Sequence, residues 1–145
     1  MPQRFALAQR LASLHDGLAA IVARHAPSEA AVEAPFHGVS ARSALHLAHA
    51  RGVVLAALGA ASLPVYEYSP ATIKKAVTGN GRAEKEQVGA MVSRLLAGAD
   101  SPGKPDIADA MAAALCHLFG VAHTGALHAA GVEGTRRRRG VVAGV

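Results

Sequence analysis

Residues 63–70 read LPVYEYSP, a stretch that joins a strand directly to the start of a helix. Its valine and two tyrosines are β-branched or aromatic, and such side chains are enriched in β-strands. Ser69 is a favoured N-cap residue, and Pro70 suits the first helical position because its missing N–H needs no partner there. The stretch therefore predicts a strand over 63–68 and a short helix over 70–77.

Strand and helix signals alternate along the rest of the chain, which is typical of an α/β fold. The other predicted elements are an amphipathic helix over 4–25, a buried strand over 29–33, a long helix from the Ser40 cap to residue 61, an amphipathic helix carrying Val88 to Leu96, and a helix over 106–121. From residue 123 onward glycine, alanine and arginine dominate without a core periodicity. We therefore expect a folded domain over 1–122 and a disordered tail over 123–145.

The composition suits one soluble domain. Hydrophobic residues make up 51% of the 145 residues, and the net charge is +5 with a pI of about 10.0. Four of these charges belong to the consecutive arginines 136–139, and subtracting them leaves +1 for the rest of the chain. The single cysteine, Cys116, excludes an internal disulfide framework and fits a reducing compartment. We expect a cytoplasmic protein with no membrane span, since charges or histidines interrupt each apolar run.

Three carboxylates are candidates for a metal site. Asp106 and Asp109 are three residues apart at the start of an apolar helix, so their side chains share one helical face. Glu33 ends a predicted strand whose apolar neighbours indicate burial, and a buried unpaired carboxylate is costly. Mg²⁺ prefers one or two carboxylates together with substrate phosphates. On the pattern alone, capping of the helix by the aspartates is the simpler interpretation, and a Mg²⁺ site for phosphodiester cleavage is the alternative.

The eight histidines do not form a second metal site in this interpretation. His46 and His49 are three residues apart, but His117, His123 and His128 are scattered along the chain. A structural zinc site needs a tight set of cysteine and histidine ligands, and one cysteine does not supply it. We interpret most of these histidines as residues of the surface or of the edge of the core.

Several segments in fixed order resemble one known family. They are AVE at 31–33 with Phe36, SAL at 43–45, AHARGV at 48–53, LPVYEY at 63–68, IKKAVTG at 73–79, AEK at 83–85, and DIADA at 106–110 with Cys116-His117. With these segments, residues 33–117 resemble RuvC, the bacterial family of Holliday junction resolvases, which has a ribonuclease H-like fold. A match of this length is far more specific than any of its short motifs.

The resemblance implies a homodimer that binds four-way junction DNA and makes paired Mg²⁺-dependent nicks during DNA recombination and repair, with a branch-migration motor complex as a further partner. It implies that Glu33, Asp106 and Asp109 are catalytic metal ligands. It also implies that Phe36 lies near the junction centre. The DNA-binding cations in this interpretation flank a Gly-Asn-Gly turn and are Lys74, Lys75, Arg82 and Lys85.

The chain departs from the family at its start. Family members begin with a strand that carries Gly-Ile-Asp-Pro-Gly, whose aspartate is the first metal ligand, and two more strands follow. This sequence starts after them, which explains why its two predicted strands make a thin sheet beside the five or so strands that are usual. The alternative function is therefore a catalytically impaired remnant that binds junctions without cutting them.

Overall fold

The computed structural model describes residues 6–34, 40–96 and 104–129. Its elements, in chain order, are α1 (Leu7–His25), β1 (Ala30–Glu33), α2 (Ala41–Ala60), β2 (Val65–Tyr68), α3 (Pro70–Thr78), α4 (Lys85–Leu95) and α5 (Pro105–Ala129). Each predicted element has its counterpart here. The last helix differs most, because α5 continues to Ala129 through the start of the segment that we predicted to be a tail. The remaining tail residues, 130–145, lie outside the described residues.

The helix starts follow the local sequence signals. The Ser40 hydroxyl accepts a hydrogen bond from the Ser43 N–H at 3.3 Å, and Ser69 accepts one from Thr72 N–H at 3.1 Å. Pro70 occupies the first turn of α3, as predicted. These caps satisfy backbone donors that a helix leaves unpaired at its start, so the chain itself fixes where α2 and α3 begin.

The two strands of the described part of the chain pair in parallel. The Ala30 N–H donates to the Pro64 carbonyl at 2.9 Å, and the Ala34 N–H donates to the Tyr68 carbonyl at 2.8 Å. Both bonds join residues with the same offset along the chain, which only a parallel register gives. The carboxyl ends of β1 and β2 therefore lie at the same edge of the sheet, and Glu33 is at that edge.

The chain divides into two compact units, of which the first comprises residues up to 30 and 35–65. Within it α1 packs against α2. The apolar stripe that predicted α1 is only partly covered, because Leu11 and Leu18 are half-buried whereas Leu7, Leu14 and Ile21 are exposed. The amphipathic pattern thus predicted the helix correctly, but part of its apolar stripe is exposed.

The second unit comprises residues 31–34 and 66 onward, and it contains the better-packed core. Helices α3, α4 and α5 pack against one another around Val92, which is fully buried. The other core residues are Ile73, Val77, Ala83, Val88, Ala112, Ala113, Leu115 and Cys116. Alanines at the buried positions of α5 allow its backbone to approach α3 and α4 closely, which holds the start of α5 in place.

Two helices are long and apolar enough to cross a membrane by length and composition alone, Ala41–Ala60 and Pro105–Ala122. This differs from our expectation, which treated the charges and histidines within these helices as interruptions. Core helices of soluble proteins pass the same test, so one or two such helices are weak evidence. In the second helix, Ala112 and Ala113 belong to the core of the second unit.

Candidate active site

Glu33 and Asp109 form an interacting carboxylate pair within the second unit. Partial burial of its carboxyl group raises the pKa of Glu33, the negative charge of Asp109 raises it further, and Lys85 and Lys74 oppose both. Glu33 as a residue is nevertheless exposed, so the burial that we predicted for it is wrong. The reason is that Glu33 ends the short strand β1, where only the three preceding residues are half-buried.

Lys85 supplies the positive charge beside this pair. Its Nζ lies 3.4 Å from Oδ2 of Asp109, with the two side chains 71% and 40% exposed. An ion pair this exposed contributes little to stability, about 0–1 kcal/mol. Lys85 begins α4, whose start is fixed by a reciprocal capping box between Glu84 and Gln87. The lysine is therefore anchored at its backbone while its ammonium group stays accessible.

Glu33→Gln should stabilise the chain when no divalent metal is present. Because the folded pKa of Glu33 lies above the unfolded one, the ionised carboxylate lowers stability once the pH rises through the raised pKa. Glutamine removes that cost, so its advantage should be full near neutral pH and vanish as the pH falls below the ordinary carboxyl range. Urea unfolding of both chains in EDTA, near neutral pH and in acid, measures the difference in stability. A stabilisation by glutamine that stays undiminished in acid would contradict the prediction.

Asp106 is in the first turn of α5, where it is exposed and favourably placed for the helix dipole. Within residues 6–34, 40–96 and 104–129, no group of three or more His, Cys, Asp or Glu side chains is placed to hold one metal ion. The structure therefore brings Glu33 and Asp109 together but does not complete a three-acid set with Asp106. A ligand role for Asp106 stays a prediction.

The donor set of the Glu33–Asp109 pair suits one hard divalent cation. Two carboxylates that repel each other, with a lysine ammonium beside them, mark a place where positive charge is favourable. Mg²⁺ is commonly held by one or two carboxylates, with waters and substrate phosphates completing its shell. The chemistry of these residues thus fits one Mg²⁺ ion.

The predicted DNA-binding cations lie on α3, on α4 and in the turn between these helices. Lys74 is half-buried, whereas Lys75, Arg82 and Lys85 are exposed. The turn has a defined shape, because Gly79 adopts φ 81° and the Asn80 side chain accepts a hydrogen bond from the Arg82 N–H at 3.0 Å. Phe36, predicted to meet the junction centre, lies outside the described residues.

A buried histidine near the strand edge was missed as a functional candidate. His117 is 6% exposed, and its Nδ1 shares a 2.7 Å hydrogen bond with the Tyr68 hydroxyl. The Tyr66 ring lies against it, with ring centroids 4.5 Å apart. Our interpretation of most histidines as surface or core-edge residues does not describe this one. The available signal was Cys116-His117, which belongs to the segments quoted above.

Comparison with known proteins assigns the family. The family model described as Crossover junction endodeoxyribonuclease RuvC matches residues 2–117. The proteins of that name from Anaeromyxobacter dehalogenans strain 2CP-C and Halorhodospira halophila are 52% and 49% identical to this chain. These alignments cover 90% and 94% of this chain, and 71% and 80% of the relatives.

Solved structures agree on the fold. A Thermus thermophilus RuvC structure matches with a TM-score of 0.76, and a structure of T. thermophilus RuvC in complex with Holliday junction substrate matches with 0.79. Both are 34% identical to this chain, and the matches cover 86% of this chain and 75% of theirs. The α/β fold is therefore the ribonuclease H-like fold that the resemblance implied. The chain belongs to the RuvC family of crossover junction endodeoxyribonucleases.

Proposed function

We propose that this chain resolves four-way (Holliday) DNA junctions by Mg²⁺-dependent paired nicking in recombination and repair. The observation that carries the proposal is the Glu33–Asp109 carboxylate pair with Lys85 beside it. This pair occurs in a chain whose fold matches that of a RuvC bound to junction substrate. These findings favour the resolving endonuclease over the junction-binding remnant.

In this mechanism, Glu33 and Asp109 hold the metal, and Asp106 adds a third carboxylate at the start of α5. One Mg²⁺ ion held there would activate a water for attack on the scissile phosphate. The exposed Lys85 ammonium, 3.4 Å from Asp109, would contact the scissile phosphate.

The cations around the turn after α3 position the DNA without reading its sequence. Lys74, Lys75 and Arg82 flank the turn after α3 and contact phosphate oxygens. Phe36 stacks on unpaired bases at the crossover. Phosphate contacts of this kind make junction affinity fall as the salt concentration rises.

A homodimer fits both the substrate and the exposed apolar surface of α2. A four-way junction presents two equivalent strands, so a two-fold dimer places one site on each. On α2, Leu45 and Leu47 are 58% and 60% exposed although both are apolar. We place this helix in the dimer interface, the protein in the cytoplasm and a branch-migration motor complex among its partners.

Cleavage of a labelled four-way junction by the 145-residue chain tests the proposal. We expect paired nicks with Mg²⁺ and none with EDTA, because the metal supplies the activated water. Asp106→Asn run beside it should reduce nicking if Asp106 is a ligand. Junctions that shift on a gel but stay uncut in Mg²⁺ would instead establish the binding remnant.

A further inference from the structure

A continuous set of contacts joins the two carboxylates of the site through the protein. Glu33 precedes Ala34, whose N–H donates to the Tyr68 carbonyl at 2.8 Å. The hydroxyl of the same tyrosine shares the 2.7 Å hydrogen bond with Nδ1 of His117. His117 and Asp109 are both on α5, which is a rigid connection about 12 Å long. Tyr68 therefore contacts the strand of one carboxylate through its backbone and the helix of the other through its side chain.

We infer that Tyr68 and His117 are positioning residues that set the separation of the Glu33 and Asp109 carboxylates. The inference rests on the proposed function, because it assigns that separation to metal binding. A short hydrogen bond is directional, so the Tyr68–His117 bond restricts how the sheet and α5 can shift against each other more than apolar contacts alone would.

The surroundings of His117 indicate that its side chain positions α5 rather than only filling space in the core. The imidazole is 6% exposed and lies against both tyrosine rings, at centroid distances of 4.5 Å for Tyr66 and 5.8 Å for Tyr68. An apolar side chain here would fill space without the cost of burying a polar ring. The buried imidazole, hydrogen-bonded to the half-buried Tyr68, instead specifies one arrangement of α5 against the end of β2.

The test separates positioning from general stability by measuring metal affinity without DNA. Mn²⁺ binding to the full chain, followed by the electron paramagnetic resonance of free Mn²⁺, should weaken about 10-fold or more in Tyr68→Phe, the usual effect of losing a partner that orients ligands. The Mg²⁺ concentration that gives half-maximal junction cleavage should rise in parallel. Junction affinity in EDTA should stay unchanged, because Tyr68 is not a phosphate contact.

Two variants of His117 test the same hydrogen bond from its other side if Tyr68→Phe folds poorly. His117→Asn places an amide atom where Nδ1 was and should keep Mn²⁺ affinity within about threefold of the natural chain. His117→Gln places its amide farther along the side chain, where it cannot replace Nδ1, and should resemble Tyr68→Phe. Leu58→Ala, which opens a cavity in the first unit whereas Tyr68 and His117 belong to the second, is the control for lost stability and should leave Mn²⁺ affinity unchanged.

Each outcome has one meaning. Equal Mn²⁺ affinities for the natural chain and Tyr68→Phe, or equal losses in Tyr68→Phe and Leu58→Ala, would overturn the positioning role. A natural chain that binds Mn²⁺ but leaves junctions uncut would contradict the proposed function alone. Absence of Mn²⁺ binding by the natural chain would overturn the metal site and the inference together.

Discussion

Asp109→Asn should lower Mg²⁺-dependent junction cleavage by roughly 10²–10³-fold, the range seen when one group that stabilises developing charge is removed. The negative charge of Asp109 raises the pKa of Glu33, and its carboxylate also contacts Lys85, so Asp109 is central to the candidate metal site. Asparagine keeps the size and shape of the side chain but removes its charge. Single-turnover cleavage with saturating protein measures the loss directly.

Junction binding distinguishes this loss from misfolding. Asp109→Asn should bind the junction in EDTA at least as tightly as the natural chain, because one negative charge near the DNA is gone. Glu86→Gln, the same change at an exposed acid in the first turn of α4, should cleave at the natural rate. Equal rates for Asp109→Asn and Glu86→Gln would show that the carboxylate pair is not the catalytic centre.

The sequence predicted best what depends on neighbouring residues. Ser40 and the Ser69-Pro70 pair specify the starts of α2 and α3 through bonds that span three residues, so these boundaries could be predicted closely. Burial depends on what packs against an element. Periodicity cannot supply that information, and Leu14 and Ile21 on the apolar stripe of α1 are exposed.

The difference between local signals and packing of distant elements also explains which features of the candidate site could be predicted. The Asp106 and Asp109 spacing is local, and Glu33 ends a short apolar strand pattern, so the three carboxylates could be named in advance. That Glu33 interacts with Asp109 while Asp106 does not complete the set could not be predicted, because β1 and α5 are far apart in the sequence. The Tyr68–His117 bond joins residues 49 positions apart and has no local signal.

Ile73→Ala should lower the free energy of unfolding by about 2–5 kcal/mol, the range for removing a large aliphatic side chain from a packed core. Ile73 is 5% exposed and belongs to the cluster in which α3, α4 and α5 meet. The lost carbons leave a cavity that close-packed alanines on α5 cannot fill without moving the helix. Urea unfolding should show a lower midpoint with an unchanged slope.

Leu95→Ala is the matched control, because it removes the same number of carbons from a side chain on α4 that is 44% exposed. Its loss should stay below about 1 kcal/mol, since much of that surface is already in water. Equal losses in the two variants would mean that the α3–α4–α5 cluster does not govern unfolding. A large loss for Ile73→Ala alone would show that unfolding is governed by this cluster, which includes residues of α5, the helix that carries Asp109.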